Sequence, residues 1–524
     1  MKNTLLVLLL FFAKTVFAQE DFGQKVAYKL LDYSYVNGVE KVFLHFDKPN
    51  YTVGENICFK SYIIEGVKYK FDPSTEVFYC DLLENQSGIL IKKATFKSYS
   101  GLGDGFFAIP DSLASGKYIF RAYTKYMENF DEKFFFHQNI NIFNPKKEVL
   151  KNVLPFDFQL DIMPESGKLV EDIQTKVAFK VSDNQGQSID CQGVIVGQKG
   201  DTIINFATEK FGLGYFRLKP KTNEKYSAKL TINGKTKDFP LPKIEQYGYI
   251  LNVDNLTSLE TVSLGVKAKL PENELKKPML IIAQSHGNFA FLGRFEASNS
   301  KTVLAIPKAM FPDGIVQFTV FDENGTPFSE RIIYNKLPNL LNINVLVEKE
   351  KTKNGEVIAL LINVSDRDGK PIDANLSLSV TDSALVAEDE FAQNMTSYLP
   401  LVADLKNRVE APPYYFDRKN TDAQKHLDLL MMSENWSRFT WRNILQDEKN
   451  KHRFSAEKGV PEARPESVKA ISSTIFWQPN IEVKNGKAKV ILPLIKAGTT
   501  LNINVQGKNE NGALGVELVK YRLN

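Results

Sequence analysis

Few side chains in this sequence stand where they could do chemistry together. His45 and Asp47 are the nearest pair. On an extended strand with Phe46 between them, imidazole and carboxylate share a face, so the carboxylate would orient the ring as a base. No nucleophile accompanies them, and the alternative is a polar surface pair beside a strand end. Asp366-Arg367-Asp368-Gly369 suggests a calcium loop, but no glutamate closes it, which favours a hairpin turn. Tyr414, Tyr415, Trp436 and Trp441 would form either a partner-binding patch or, as the favoured reading, the core of a helical segment.

The sequence carries no His-Glu-x-x-His, no Cys-x-x-Cys, no Gly-x-Ser-x-Gly elbow and no phosphate-binding glycine loop. Its five histidines, His45, His137, His286, His426 and His452, are widely scattered. The expectation is a non-enzymatic chain without cofactor or metal. A cluster of His, Asp and Glu in one cleft would revive the enzymatic reading.

The elements that must carry these residues read as strands. Val177, Phe179 and Val181 alternate with Lys176, Ala178 and Lys180, and Leu501, Ile503 and Val505 with Asn502, Asn504 and Gln506. That period marks strands with one buried and one wet face. Asp183-x-x-Gly186, Asp322-x-x-Gly325 and Asp366-x-x-Gly369 each separate two apolar runs, and Asn485-Gly486 and Asn511-Gly512 are tight-hairpin signals. The fold expected is all-β, a row of sandwiches. From Ser383 to about Asn450 the alternation stops. There Thr421-x-x-Gln424 suggests a capping box, and Leu427, Leu430 and Met431 share a helical face. One or two helices are predicted before Pro412-Pro413 and one after.

Lys2, the apolar run Leu5 to Ala13 and Val16-Phe17-Ala18 predict a signal peptide cleaved before Gln19. Export to the periplasm, the outer membrane or the exterior follows, with no transmembrane segment in the mature chain. The 66 basic and 62 acidic side chains, formal charge +4, do not suggest nucleic acid as a partner. Three cysteines are too few for a disulfide scaffold. Cys80 shares a strand face with Phe78 and Leu82 and reads as a buried thiol; a Cys58–Cys80 bridge is the alternative. The organisation expected is a leader at 1–18, a helical lead-in at 19–39, and sandwiches at 40–145, 146–245 and 246–338. The first part of another sandwich lies at 339–385, a helical insertion at 386–450, a linker at 451–469 and terminal strands at 470–524. The segments before 385 and after 470 are expected to pair as one split sandwich.

Several stretches resemble one family. Val42-Phe43-Leu44-His45-Phe46-Asp47-Lys48-Pro49-x-Tyr51-x-x-Gly54-Glu55 is similar to the opening of the second macroglobulin domain of α2-macroglobulin-type proteins. The match is to a bacterial branch whose longer members carry carboxypeptidase-regulatory-like and TonB-dependent receptor plug domains. Met163-Pro164-Glu165-Ser166-Gly167-x-Leu169-Val170, Val177-Ala178-Phe179-Lys180 and Gly212-Leu213-Gly214-Tyr215-Phe216 resemble its next module. Glu330-Arg331 closes another. Asp404-Leu405-Lys406, Glu410-x-Pro412-x-Tyr414-Tyr415-Phe416, Leu427-Asp428-Leu429-Leu430-Met431 and Trp436-x-Arg438-Phe439-x-Trp441 resemble its helical stretch. Thr474-x-Phe476-Trp477-x-Pro479 and Asn485-Gly486-x-Ala488-x-Val490 resemble its terminal module. Cys58 stands where the family usually has tryptophan, and Ser166 where it usually has glycine.

The resemblance implies tandem macroglobulin, immunoglobulin-like sandwiches and a shortened member without its own plug. It implies a non-catalytic interaction or scaffold protein of the cell envelope, accessory to TonB-dependent transport, with a protein partner. The alternatives are a macroglobulin-like protease inhibitor with a bait at 447–469, or a surface adhesin. Asp190-Cys191-Gln192-Gly193 lacks the glutamate and glutamine of the macroglobulin thioester, which excludes covalent trapping by that route.

Overall fold

In the computed structural model the described residues are 22–147, 155–335, 340–352, 355–387, 392–434, 440–445 and 473–523. The predicted leader, Trp436, His452 and the linker 451–469 lie outside them. Strands dominate, and the chain is an all-β array of sandwiches with a late helical insertion. No helix among the described residues is long and apolar enough to cross a membrane.

In the first sandwich, strand Asn56–Glu65 lies between Glu40–Phe46 and Leu102–Ala108. It faces a five-stranded sheet centred on Gly116–Thr124. Val42, Leu44, Phe59, Phe78, Leu82 and Phe120 fill the space between. The second sandwich is one curled seven-stranded sheet. Strands Phe158–Pro164 and Lys235–Pro240 form its two edges, around a core of Phe179, Phe206 and Phe216. The third stacks a three-stranded sheet on a four-stranded one between Gly248 and Asn335.

The fourth sandwich draws on both sides of the insertion. Strand Gly355–Ser365 pairs with Lys487–Ile491, and Ala374–Asp382 with Thr474–Val483 and Thr500–Lys508. Leu360, Leu378, Ile481 and Ile503 therefore share one core.

The Asp-x-x-Gly hairpins share a geometry. Each Asp Oδ1 accepts two backbone amides, from Gln185 and Gln187, Asn324 and Thr326, or Asp368 and Lys370. Gly186, Gly325 and Gly369 supply the positive φ. In the Asp366 turn the Oδ1 oxygen serves the backbone amides of the hairpin itself.

Helix α1 (Phe22–Val36) buries Val26 and Leu30 against the third sandwich; its Phe22 ring lies 5.8 Å from Phe321. The insertion holds α2 (Met395–Tyr398), α3 (Ala423–Ser433) and α4 (Trp441–Leu445). Among the described residues one α-helix precedes Pro412-Pro413, within the one or two expected, and two follow it where one was expected. The capping box expected at Thr421-x-x-Gln424 is also absent. The N-cap of α3 is Asp422, already in the right-handed helical region and without a side-chain cap. Asn420 holds the Asp422 amide with its side chain, so the chain enters the helix through a turn rather than the extended conformation a box requires. Asn394 does make a capping box, at α2, with Ser397.

The hairpin at Asn511-Gly512 abuts the first sandwich. A Cβ on Gly512 (φ +88°) would come within 2.0 Å of the Lys68 carbonyl oxygen. Gly369 has a similar φ, +81°, but faces open space. Gly512→Ala is expected to destabilise the chain by about 3 kcal/mol, from strain plus displacement of rigid backbone. Gly369→Ala should cost about 1 kcal/mol, from strain alone. Chemical denaturation of the two variants beside the parent measures the difference.

Candidate functional site

The strand Glu40–Phe46 is buried on both faces. Val42 and Leu44 point into the first sandwich, while His45 faces the fourth. The His45 Nδ1 lies 2.7 Å from Ser377 Oγ, and its ring packs edge-on against Trp477 at 5.3 Å. Asp47 accepts from the Tyr51 hydroxyl at 2.8 Å, the Cys58 amide at 3.1 Å and the Thr474 hydroxyl at 2.6 Å. Lys60 reaches Asn375 at 3.0 Å and also Asn480. Tyr62 shares the Ser377 hydroxyl at 2.9 Å.

Both sequence readings of His45 and Asp47 are therefore corrected. They are neither an oriented base nor a surface pair, since their hydrogen bonds run to other partners and both are buried. They belong to a joint between the first and fourth sandwiches. Burial sets their charge states. Desolvation pulls the His45 imidazole down to about 3, so it is neutral, and pushes Asp47 up to about 6. Lys60 falls to about 8 for the same reason.

A second cluster mimics a catalytic arrangement. Ser285 Oγ is 3.0 Å from His286 Nδ1, and His286 Nε2 is 2.8 Å from Asp404 Oδ2. Its geometry does not serve that chemistry. The Ser285 hydroxyl donates to the Ile315 carbonyl at 2.8 Å, which turns a lone pair rather than its proton toward the ring. All three side chains are buried, and neither cleft described below touches them. The same Asp404 oxygen also binds Lys41 Nζ at 2.8 Å. Lys41 in turn donates to the Leu399 carbonyl. The group ties the first sandwich, the third and the insertion together.

A third cluster joins three of the resemblance motifs. Arg331 donates to Asp428 at 2.8 Å and lies 3.6 Å from Glu165. Glu165 also accepts from Asn252 at 2.7 Å. Ser166 adopts φ +64°, a conformation glycine takes without strain, and its hydroxyl accepts the Leu251 amide. Second sandwich, third sandwich and α3 meet here.

Among the described residues the apolar side chains of the insertion pack in clusters shared with the sandwiches. Tyr398 and Leu399 complete the first core; the Tyr398 ring lies 5.1 Å from Phe136. The Tyr414 ring packs 5.0 Å from Phe211 of the second sandwich. Trp441 donates to Thr319 at 2.7 Å and packs on Phe321 of the third. Met395 N donates to Gln506 of the fourth. Tyr415 and Trp441 are buried with Leu405, Leu427, Leu430 and Met431, with Tyr414 packed against them, so they are core rather than an exposed patch, and that core extends into the sandwiches. Alternation within single strands gave no signal for these joints. The polar residues on otherwise apolar strands, Lys41, His45, Lys60 and Arg331, were the trace available.

The three thiols stand unpaired. Cys80 is fully buried between Phe78 and Leu82, which answers the bridge alternative with the buried thiol. Burial pushes Cys58 up to about 12 and Cys191 to about 11, so both stay protonated and weakly nucleophilic. Among the described residues no three His, Cys, Asp or Glu side chains are grouped to hold a metal. Among the clefts that open to solvent, one of about 840 Å³ lies between the first and second sandwiches and the insertion, and another of about 390 Å³ between the second and third.

No family model matches the sequence, and no curated protein is found to match it. Among solved structures the chain is similar to Escherichia coli alpha-2-macroglobulin activated by porcine elastase. The identity is 11% over 92% of this chain and 43% of that one, with a TM-score of 0.33. A Salmonella alpha-2-macroglobulin mutant gives 8% identity over 94% and 40%, also with a TM-score of 0.33. A Bacteroides uniformis beta-glucuronidase gives 12% over 34% and 25%, with a TM-score of 0.14. The chain spans less than half the length of these proteins.

Removing one partner of the Lys41–Asp404 pair strands a buried charge. Asp404→Leu alone is expected to cost about 4 kcal/mol, and adding Lys41→Met should recover about half of it, because the buried His286 still lacks its carboxylate. Chemical denaturation of both variants checks this, and a double variant no better than the single would refute it.

The Asp47 joint has a pH signature. Its folded pKa is raised from 3.8 to about 6, so its contribution is fully present below pH 3.8 and lost as pH rises through about 6. Asp47→Asn cannot ionise. Its stability relative to the parent should rise by about 2 kcal/mol between pH 4 and pH 7, measured by denaturation across that range.

Proposed function

We propose that this chain is a non-catalytic, exported interaction scaffold of the bacterial cell envelope. One observation carries the reading. The polar groups that could do chemistry are spent holding sandwiches together, as at Asp47, Asp404 and Asp428. An enzyme keeps such groups at the floor of a cleft, where substrate can reach them. A scaffold needs its modules held in a set relation so that edges and loops face partners in a defined geometry.

The leader read at residues 1–18 supports export of the mature chain to the periplasm, the outer membrane or the exterior. The likeness of its motifs to a branch with TonB-dependent receptor plug domains directs the search to outer-membrane transport proteins. The chain in this reading is an accessory to that machinery.

The test is affinity purification of the tagged chain from cross-linked cell envelopes. An outer-membrane transport component recovered in near-stoichiometric amount is the expected result. A chain that accumulates in the culture medium and cross-links to no envelope protein would overturn the proposal.

A further inference from the structure

The curled sheet of the second sandwich does not close. Its two edge strands, Phe158–Pro164 and Lys235–Pro240, face each other across a gap. At one end the gap is bridged. Lys235 and Lys237 both reach Asp157, Lys237 donates to the Phe158 carbonyl at 2.8 Å, and the Phe158 and Phe239 rings lie 6.0 Å apart. At the other end the edges part, and the gap widens into the cleft of about 840 Å³.

The register shows which backbone groups face the gap. Val181 donates to the Gly212 carbonyl and accepts from the Ile189 amide, so both its groups turn away from the edge strand. Its antiparallel partner Leu160 therefore sits in a pair without mutual hydrogen bonds. Leu160 and, two residues on, Ile162 must then point N–H and C=O outward. The bond from Lys237 to Phe158, of the same parity, agrees. Among the described residues the outward groups of Leu160 and Ile162 have no partner strand. A row of unpaired groups beside an open slot is a template for another strand.

The walls supply side-chain chemistry. Phe239 and Leu241 offer apolar surface across from the edge. Lys133, Lys180 and Arg408 line the cleft and make no direct ion pair among the described residues, although Lys180 stands across the ladder from Asp161 and acts on Glu434, and Lys133 acts on Asp131. Two acidic side chains line it against the four basic ones, Lys133, Lys180, Lys406 and Arg408: Asp161 is exposed opposite Lys180, and Glu434 accepts from Asn407 at 2.8 Å, where burial pushes it up to about 7 and reduces its charge. The slot therefore has a basic rim over an apolar wall.

We infer that this slot receives an extended acidic segment of a partner polypeptide, which adds a strand to the sheet at Leu160 and Ile162. Main-chain bonds to the free edge supply affinity. Alternate apolar side chains meet Phe239 and Leu241, and the carboxylates between them meet Lys133, Lys180 and Arg408. The inference rests on the scaffold reading and names the chemistry of the partner.

The probe is a fluorescent peptide of about eight residues that alternates valine and glutamate, titrated with the purified chain by anisotropy. Micromolar binding is expected. The same peptide methylated on alternate backbone nitrogens should lose at least about tenfold in affinity, because it cannot complete the ladder. A valine–lysine peptide should bind at least about tenfold more weakly, as should the glutamate peptide to the Lys180→Glu, Arg408→Glu double variant with its unfolding midpoint unchanged. Equal binding of methylated and unmethylated peptides, equal binding of the lysine peptide, or no binding at all overturns the slot. Envelope recovery repeated with the double variant separates the two proposals. A partner lost by the variant supports the slot; a partner kept by it leaves the scaffold reading standing and overturns the slot alone.

Discussion

The array depends on an insertion whose apolar side chains are buried in clusters shared with the sandwiches. Residues 392–434 and 440–445 contain short helices and turns, too small to enclose Tyr398, Tyr415 and Trp441. These side chains leave water in clusters completed by the sandwiches. Each sandwich thus gains part of its apolar contact from a segment that belongs to the last one. The constraint is mutual, because neither the insertion nor the joints are complete without the other.

Charge then selects among packings that apolar contact alone would tolerate. Lys41, His286 and Asp404 meet at one carboxylate oxygen, and Arg331 stands between Asp428 and Glu165. Such buried pairs add little net stability, since desolvation offsets their attraction. Any arrangement that separates them, however, leaves a charge in an apolar setting at a cost of several kcal/mol. The joints therefore discriminate against neighbouring registers of one sandwich on another. The same rigidity holds the open edge at Leu160 and Ile162 beside its basic rim. A partner strand would meet a slot whose walls come from the first and second sandwiches and the insertion. Little ordering would remain to oppose its binding.

The sequence by itself determined the local structure, because its causes are local. Alternation of apolar residues set the strands around Phe179 and Ile503, and Asp with glycine three residues on set hairpins whose geometry needs only four or five neighbouring residues. The loss of alternation after Ser383 marked the helical insertion. Only the tertiary structure decided what the chemically suggestive residues do. His45 and Asp47 share a strand face, but their partners Ser377 and Thr474 are more than 300 residues away. Ser285 and His286 became neighbours of Asp404 only when third sandwich and insertion met. The free edge of the second sandwich depends on which strand fails to find a neighbour. Residue type and spacing encode the pattern along one element; burial on the second face of a strand, and the charge state it imposes, come from elements brought from elsewhere in the chain.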